Sequence, residues 1–503
     1  MEEDFAPGRG HALRWGSLAG LCFAALAAVV TQRHSTAIEV GRGVAGASAV
    51  LAVATTPHRP SPAGPEGANE VRAQANVGSG HYKPNELLVR GANAATLAAL
   101  LARGWRQDDS AAGGVVRLIS RSGTSAAERD RLQSEFPDAR FALNYVYRHA
   151  TDKSAVSDAD RGAGKTCSPE QCYGPALIKW HASLAACANG VRVGVIDTDI
   201  DKEHPALAWR ELKVRRFPQE VEVDAVKAPD SHGTAVVSLL AGDPKSVTSG
   251  LIPGADYMIA DAFYRNEQGE IEVDTVHLVW ALRALRNWRA QVINMSFFGP
   301  SDDTVHALVS EMSRSGVVFV AAAGNGGPTA APAYPAAFPE VIAVTAVDQN
   351  KVVYAEANHG SYIDMAAPGV RIWTALPNNK QGVLSGTSFA APFVTAIAAV
   401  TYVATPMKTG KGIAGAVLDP KAELLARLSF DKLGTGQPDE RDQIFGRGLV
   451  RAPLTCGSHP SMQARKWQGF AWKRWGRQLI HETLKLFNGY KVRGPPPNVA
   501  PAG

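Results

Sequence analysis

Four separate segments of this 503-residue chain each present one group that peptide-bond chemistry needs. Hydrolysis by a serine requires a nucleophilic hydroxyl, an imidazole to take its proton, a carboxylate to orient that imidazole, and donors aimed at the developing oxyanion. VIDTDID ends an apolar run on Asp197, where a carboxylate can be buried and directed at a ring nitrogen. SHGTAVVSLLAG sets His232 at the head of an apolar helix. LSGTSFAAPFVTAIAAV sets Ser388 at the head of a longer one, where free backbone N–H groups and the helix dipole favour negative charge. AAAGNGG puts Asn325 just past a strand, in a glycine-rich turn that lets its amide project into a cleft. Taken singly, each has a plain structural reading: a capping Asp, a helix-starting His-Gly, an N-cap Ser, an Asn-Gly turn. The chain has no Gly-x-Ser-x-Gly, so an α/β-hydrolase elbow is excluded.

The elements that must position these groups are legible as well. VRVGVI (191–196), YMIADAF (257–263), QVINMS (291–296), VVFVAAA (317–323) and VIAVTAV (341–347) are apolar nearly throughout, as strands covered on both faces must be. Helical patterns at 273–289 and 303–315 lie between them. The alternation predicts an α/β fold with a doubly wound, mostly parallel sheet and helices on both faces, whose ligands bind beyond the carboxyl ends of the strands. Upstream, runs at 86–90, 94–102, 115–119, 126–136 and 141–147 read as strand, helix, strand, helix, strand, a small α+β unit.

In the order Asp, His, Asn, Ser, these segments resemble the signature blocks of the subtilisin-like serine proteases. The resemblance covers roughly 173–453 and takes in GLIPGADYMIADAF (250–263), VINMSFFGP (292–300) and FGRGLVRAP (445–453). It implies a subtilisin-like fold and an endopeptidase with Asp197 as orienter, His232 as general base then acid, and Ser388 as nucleophile. The Asn325 side chain and the Ser388 backbone N–H would form the oxyanion hole. Substrate would lie as an extra strand against Ser296, Phe297, Phe298 and Gly299 and against Ala321 with Ala322, Ala323 and Gly324.

Several residues depart from the family pattern. Phe298 replaces a common glycine, its ring either capping the primary specificity pocket or turned into the core. Asp199 adds a carboxylate that would raise the pKa of Asp197 if it pointed inward. Ala235 replaces a frequent, non-catalytic His. Ala206 stands where a calcium-binding Asp often sits, so calcium is the one cofactor in question and its usual ligand is missing. The unit at 83–148, ending in NYVYR, resembles the family's inhibitory propeptide, a ferredoxin-like α+β domain, which implies self-cleavage between His149 and Lys165; a generic binding module is the other reading.

The remaining organisation follows from composition. Residues 1–33 carry an uncharged stretch at 16–30, of signal-peptide length, preceded by the acidic Glu2-Glu3-Asp4; it reads as a cleaved signal or an N-terminal membrane anchor. A Pro/Gly/Ala-rich linker spans 34–82, a maturation linker 149–172, the catalytic domain 173–456 and a basic, Trp-rich tail 457–503. Apolar residues make up 45% and charged residues 20%, which fits a globular protein. The net charge of +5 sits largely in that tail, so the catalytic region carries no nucleic-acid signal, whereas the tail suits a membrane surface or a solvated extension. Export would allow Cys167, Cys172, Cys187 and Cys456 to form two disulfides in any of three pairings. The chain therefore reads as an exported zymogen, periplasmic, envelope-bound or extracellular, with polypeptide substrates and its own propeptide as partners. A peptide-binding pseudoprotease and an envelope scaffold are the alternatives from other classes.

Overall fold

The computed structural model describes residues 82–108, 114–121, 126–149, 167–168, 170–217, 226–404, 419–433 and 443–456. The signal or anchor at 1–33, the linker at 34–81, the stretch 150–166 and the tail at 457–503 lie outside the described residues.

The chain order begins with β1 (Tyr82–Arg90), α1 (Ala94–Ala102), β2 (Arg106–Asp108), β3 (Val115–Ile119), α2 (Ala126–Glu135) and β4 (Arg140–Arg148). It continues with α3 (Tyr173–Leu177), β5 (Arg192–Asp197), β6 (Lys213–Arg216), β7 (Val226–Lys227), α4 (Ser231–Ala241), β8 (Asp256–Asp261), β9 (Tyr264–Arg265) and β10 (Ile271–Asp274). Next come α5 (Thr275–Asn287), β11 (Val292–Met295), α6 (Asp303–Arg314), β12 (Val318–Ala322), β13 (Val341–Val347), β14 (Met365–Pro368), β15 (Ile372–Leu376) and β16 (Lys380–Leu384). The last elements are α7 (Thr387–Ala404), α8 (Pro420–Leu425), β17 (Ser429–Asp431) and β18 (Leu449–Arg451).

Among the described residues the central sheet runs β17-β18-β14-β13-β12-β11-β5-β8-β6, parallel except for the β17–β18 pair. Alternate residues of its strands feed two cores. Val193, Val318, Val320, Ile342 and Val344 pack with α4 and α7, while Ile196, Phe319, Ala321, Val341 and Ala343 pack with α5 and α6. This two-sided burial is why the strands read as continuous apolar runs rather than as alternating ones. The chain passes from β5 out to β6 and β8 on one side, then crosses to β11 on the other. Strand order therefore reverses beside β5, and a crevice opens at the carboxyl ends of β5 and β11.

The first unit forms an antiparallel layer β2-β3-β1-β4 over its own core of Leu87, Val89, Leu100, Leu118, Leu132 and Leu143. It is not a detached body. Strand β4 also pairs with β10, so the layer runs on through β9 to β7 as one seven-stranded sheet among the described residues. Lys83 pairs with Glu272 at 2.6 Å, and the Asn144 side chain accepts from Val276 N–H in the first turn of α5. Two of the three cysteine pairings left open by the sequence are resolved against: the disulfides are Cys167–Cys172 and Cys187–Cys456. The second ties the approach to β5 to the residues after β18 across 269 positions, a closure that contributes about 5 kcal/mol in the chain-entropy picture.

Candidate active site

Strand β5 ends on Asp197, which is fully buried. Its Oδ1 accepts the Thr198 N–H at 2.7 Å, and both carboxylate oxygens accept from His232 Nδ1, at 2.8 and 3.0 Å. Burial pushes the Asp197 pKa up, but the His232 and His149 rings and the Thr198 N–H outweigh it and hold the carboxyl below its ordinary value. The carboxylate thus stays charged and fixes the His232 tautomer with the proton on Nδ1. His232 Nε2 is left as a buried acceptor with no hydrogen-bond partner among the described residues.

Ser388 is the second residue of α7, buried in the crevice with its Oγ–H donating to the Ser296 carbonyl at 3.1 Å. The local sequence explains how its backbone is held. Pro392 inside α7 has no N–H to give the carbonyl of Ser388, four residues earlier. That carbonyl instead accepts from Ser296 Oγ at 2.9 Å; Ser296 accepts from Asn294 Nδ2, and Asn294 accepts from Thr395 Oγ1, each at 2.9 Å. All four residues are buried, so the chain pins α7 to β11. Ser296→Ala would orphan both the Ser388 carbonyl and the Asn294 amide, and is expected to cost about 1–3 kcal/mol. A thermal midpoint unchanged from wild type would contradict this.

Asn325 follows β12. Its Oδ1 accepts from Thr387 N–H at 3.1 Å and Thr387 Oγ1 at 2.8 Å, which turns Nδ2 toward the approach to Ser388. Gly386 makes room for it: with φ at +147°, a Cβ there would stand 2.8 Å from Asn325 Nδ2. The fixed amide and the free N–H groups opening α7 converge on one spot suited to negative charge.

Strand β4 leads into this crevice between the two edges. Val146, Tyr147 and Arg148 pair with Asp274, Val273 and Glu272 of β10, while Arg148 exchanges both backbone hydrogen bonds with Phe298, at 2.9 and 3.0 Å. The next residue, His149, is buried between His232 and Phe263, with ring centroids 4.0 and 3.8 Å away, and donates from Nδ1 to the Ser296 carbonyl at 3.3 Å. Burial, then the neighbouring His232, lower its pKa to about 3, so it sits there as the neutral ring. His149, Asp197 and His232 offer ligand atoms within 4.8 Å of one another. The two imidazoles lie over one another in a tilted stack rather than converging, and Asp197 is already committed to His232.

The structure places the sequence-derived residues as follows. Asp197, His232, Ser388 and Asn325 meet in one crevice, and Ser296 to Gly299 form the edge against which β4 lies. Ala322, Ala323 and Gly324 form the far side, where Ala323 N–H bonds to Val344, the Ala323 carbonyl accepts from Tyr362, and Gly324 N–H bonds to Thr387. Three residues left open by the sequence take definite places. Asp199 does not face Asp197: it pairs with Lys227 at 2.8 Å, and its charge, after burial, helps raise Asp261 to about 7. Phe298 is not a core residue; it is half-buried, with its backbone committed to Arg148. His149, the first residue of the expected maturation linker, is buried immediately after β4. Ala206 is buried, its side chain has no oxygen and its carbonyl accepts from Asp243 N–H at 2.8 Å, so this position does not fit a calcium ligand.

Sequence reasoning missed His149, Phe263, Asn294, Thr387 and Thr395. The one available signal was Pro392, whose missing N–H demands a substitute donor for Ser388.

Comparison with known proteins agrees with this geometry. The model of the subtilase family matches residues 188–448. Subtilisin E of Bacillus subtilis (strain 168) is 33% identical over 246 residues, covering 47% of this chain and 62% of that protein. Subtilisin of Bacillus pumilus is 33% identical over 246 residues and 86% of its length is matched. The chain thus spans less than two thirds of subtilisin E. Among solved structures, fervidolysin from Fervidobacterium pennivorans, a keratinolytic enzyme related to subtilisin, superposes with a TM-score of 0.61 at 22% identity, covering 76% of this chain and 63% of fervidolysin; this likeness concerns the fold.

Proposed function

Because the chain belongs to the subtilase family, we propose that it is a serine endopeptidase that cuts polypeptides through an acyl-enzyme on Ser388. The observation that carries this reading is the Asp197–His232 pair, with Ser388 and the clamped Asn325 amide, at the end of a crevice already holding an extended strand. Ser388 Oγ swings from the Ser296 carbonyl to His232 Nε2, loses its proton there and attacks the scissile carbonyl. Asn325 Nδ2 and the Ser388 N–H donate to the oxyanion. His232 then protonates the leaving amine, and water, deprotonated by the same ring, releases the acyl group. A fluorophosphonate probe should label Ser388, as located by peptide mapping, in step with peptide hydrolysis. A probe that leaves Ser388 untouched sinks the assignment.

The unit at 83–148 then serves as an inhibitory propeptide and the chain as a zymogen. Support comes from β4, which occupies the substrate path, and from His149, which covers the catalytic imidazole. Self-cleavage is expected between His149 and Lys165. Retention of the cut unit should depend on pH with a defined sign. His149 titrates near 6.5 when free and near 3 when bound. Binding is therefore full above about pH 6.5 and weakens by up to about tenfold per unit as pH falls from there toward 3. Size-exclusion chromatography at pH 7.5 and pH 5 reads this; equal retention at both, or a His149→Gln variant with the same pH dependence, contradicts it.

The two disulfides also favour an oxidising compartment, so we place the mature protein outside the cytosol. Cell fractionation tests the placement.

A further inference from the structure

We infer that the cleft selects peptides bearing a tyrosine followed by a basic residue at the positions held here by Tyr147 and Arg148, with Asp302 and Glu270 as the specificity-determining carboxylates. The inference rests on the endopeptidase reading and names its substrate class.

Tyr147 is wholly buried although it arrives on a strand laid across the surface of the catalytic region. Its ring meets Phe297 edge-on at 6.0 Å and lies against Gly299, where a Cβ would come within 2.4 Å of it; glycine is what leaves room for an aromatic side chain. The far end of this slot is polar. The Tyr147 hydroxyl donates to Asp302 Oδ2 at 3.3 Å, and Thr275 Oγ1 donates to the same oxygen at 2.6 Å. Asp302 Oδ1 is occupied separately as the N-cap of α6, accepting from Thr304 and Val305 N–H at 2.8 and 3.3 Å. The carboxylate is therefore held in place by α6 and β10–α5 whether or not the slot is filled, with one acceptor site turned toward the ring. A phenylalanine fills the same walls but leaves that buried acceptor short of a donor, and a leucine also leaves the slot part empty. A site built to bond a hydroxyl rejects the analogue that lacks it far more strongly than an apolar slot rejects a missing methylene.

Arg148 is read differently. Its guanidinium donates to Glu270 Oε2 at 2.6 Å with both side chains about half exposed, and Asn266 Nδ2 steadies the same oxygen at 3.2 Å. An exposed pair of this kind gives a modest preference. Glu270 stands on the turn that precedes β10, outside every bond that holds Ser388, His232 or Asn325.

The test uses the full chain after self-processing and four internally quenched peptides with Tyr-Arg-His-Ala, Phe-Arg-His-Ala, Leu-Arg-His-Ala and Tyr-Glu-His-Ala cores. Replacing Tyr by Phe is expected to lower kcat/KM about tenfold or more, and by Leu further. Replacing Arg by Glu should lower it about threefold. Glu270→Arg should reverse the Arg-over-Glu order while leaving the Tyr-to-Phe ratio intact. Equal cleavage of the Tyr and Phe peptides, or an Arg preference that survives Glu270→Arg, overturns the inference. If a fluorophosphonate labels Ser388 but these preferences are absent, the specificity fails and the endopeptidase reading stands. If neither labelling nor cleavage occurs, both fail together.

Discussion

A Ser388→Ala chain is expected to remain full length where wild type is expected to release a fragment beginning between His149 and Lys165, and mass spectrometry of the two purified proteins reads the difference directly. The loss in turnover should reach about 10⁶-fold, a magnitude taken from removal of the same nucleophile in subtilisin. The size follows from geometry. Ser388 is the second residue of α7, at its free N–H groups, and His232 Nε2 has no hydrogen-bond partner among the described residues. Its neighbour Ser296 cannot substitute, since its oxygen is buried in the bond to the Ser388 carbonyl. If wild type and variant both stay intact and neither reacts with a fluorophosphonate, the crevice binds peptides without cutting them.

Asn325→Leu should lower kcat by about 10²- to 10³-fold with little change in KM, the loss that removal of this donor causes in subtilisin. The amide acts on charge that exists only as the tetrahedral intermediate forms, so ground-state binding is spared. Gly386→Ala provides an independent route to the same loss, because the added Cβ would crowd Asn325 Nδ2 at 2.8 Å and the +147° φ disfavours any side chain. Steady-state kinetics on the two variants separates this from a packing defect. A raised KM with unchanged kcat in both would mean that the amide serves substrate binding instead.

The expected His149 pH dependence and the cost of breaking the Ser296 network are effects of smaller size, yet both arise at the same edge. The Ser296 carbonyl accepts from both His149 and Ser388, so the inserted strand and the nucleophile share one oxygen. While His149 holds its place over His232, the Ser388 hydroxyl rests on that carbonyl rather than on the imidazole. The structure thus shows the site covered by its own upstream strand.

Much of this was determined locally by the sequence. The run VFVAA is apolar at every position because both faces of a parallel strand are buried, and the carboxyl end of such a run then marks where polar residues must collect. Asp197, Asn325 and Ser388 stand at such ends or at a helix start, so their type and setting could be read without coordinates. The tertiary structure alone decided what lies beside them. Asp199 is two residues from Asp197, but it lies beyond the end of β5, and Lys227 on β7 captured it. His149 carries no motif; it gained its place because β4 adds to β10, and pairing register is a property of two strands rather than one. The Asp302 carboxylate looks like an ordinary helix cap in sequence, and it is one. Its second oxygen faces Tyr147 only because the turn after Phe298 folds back under β4, a long-range juxtaposition across 155 positions that no local spacing encodes.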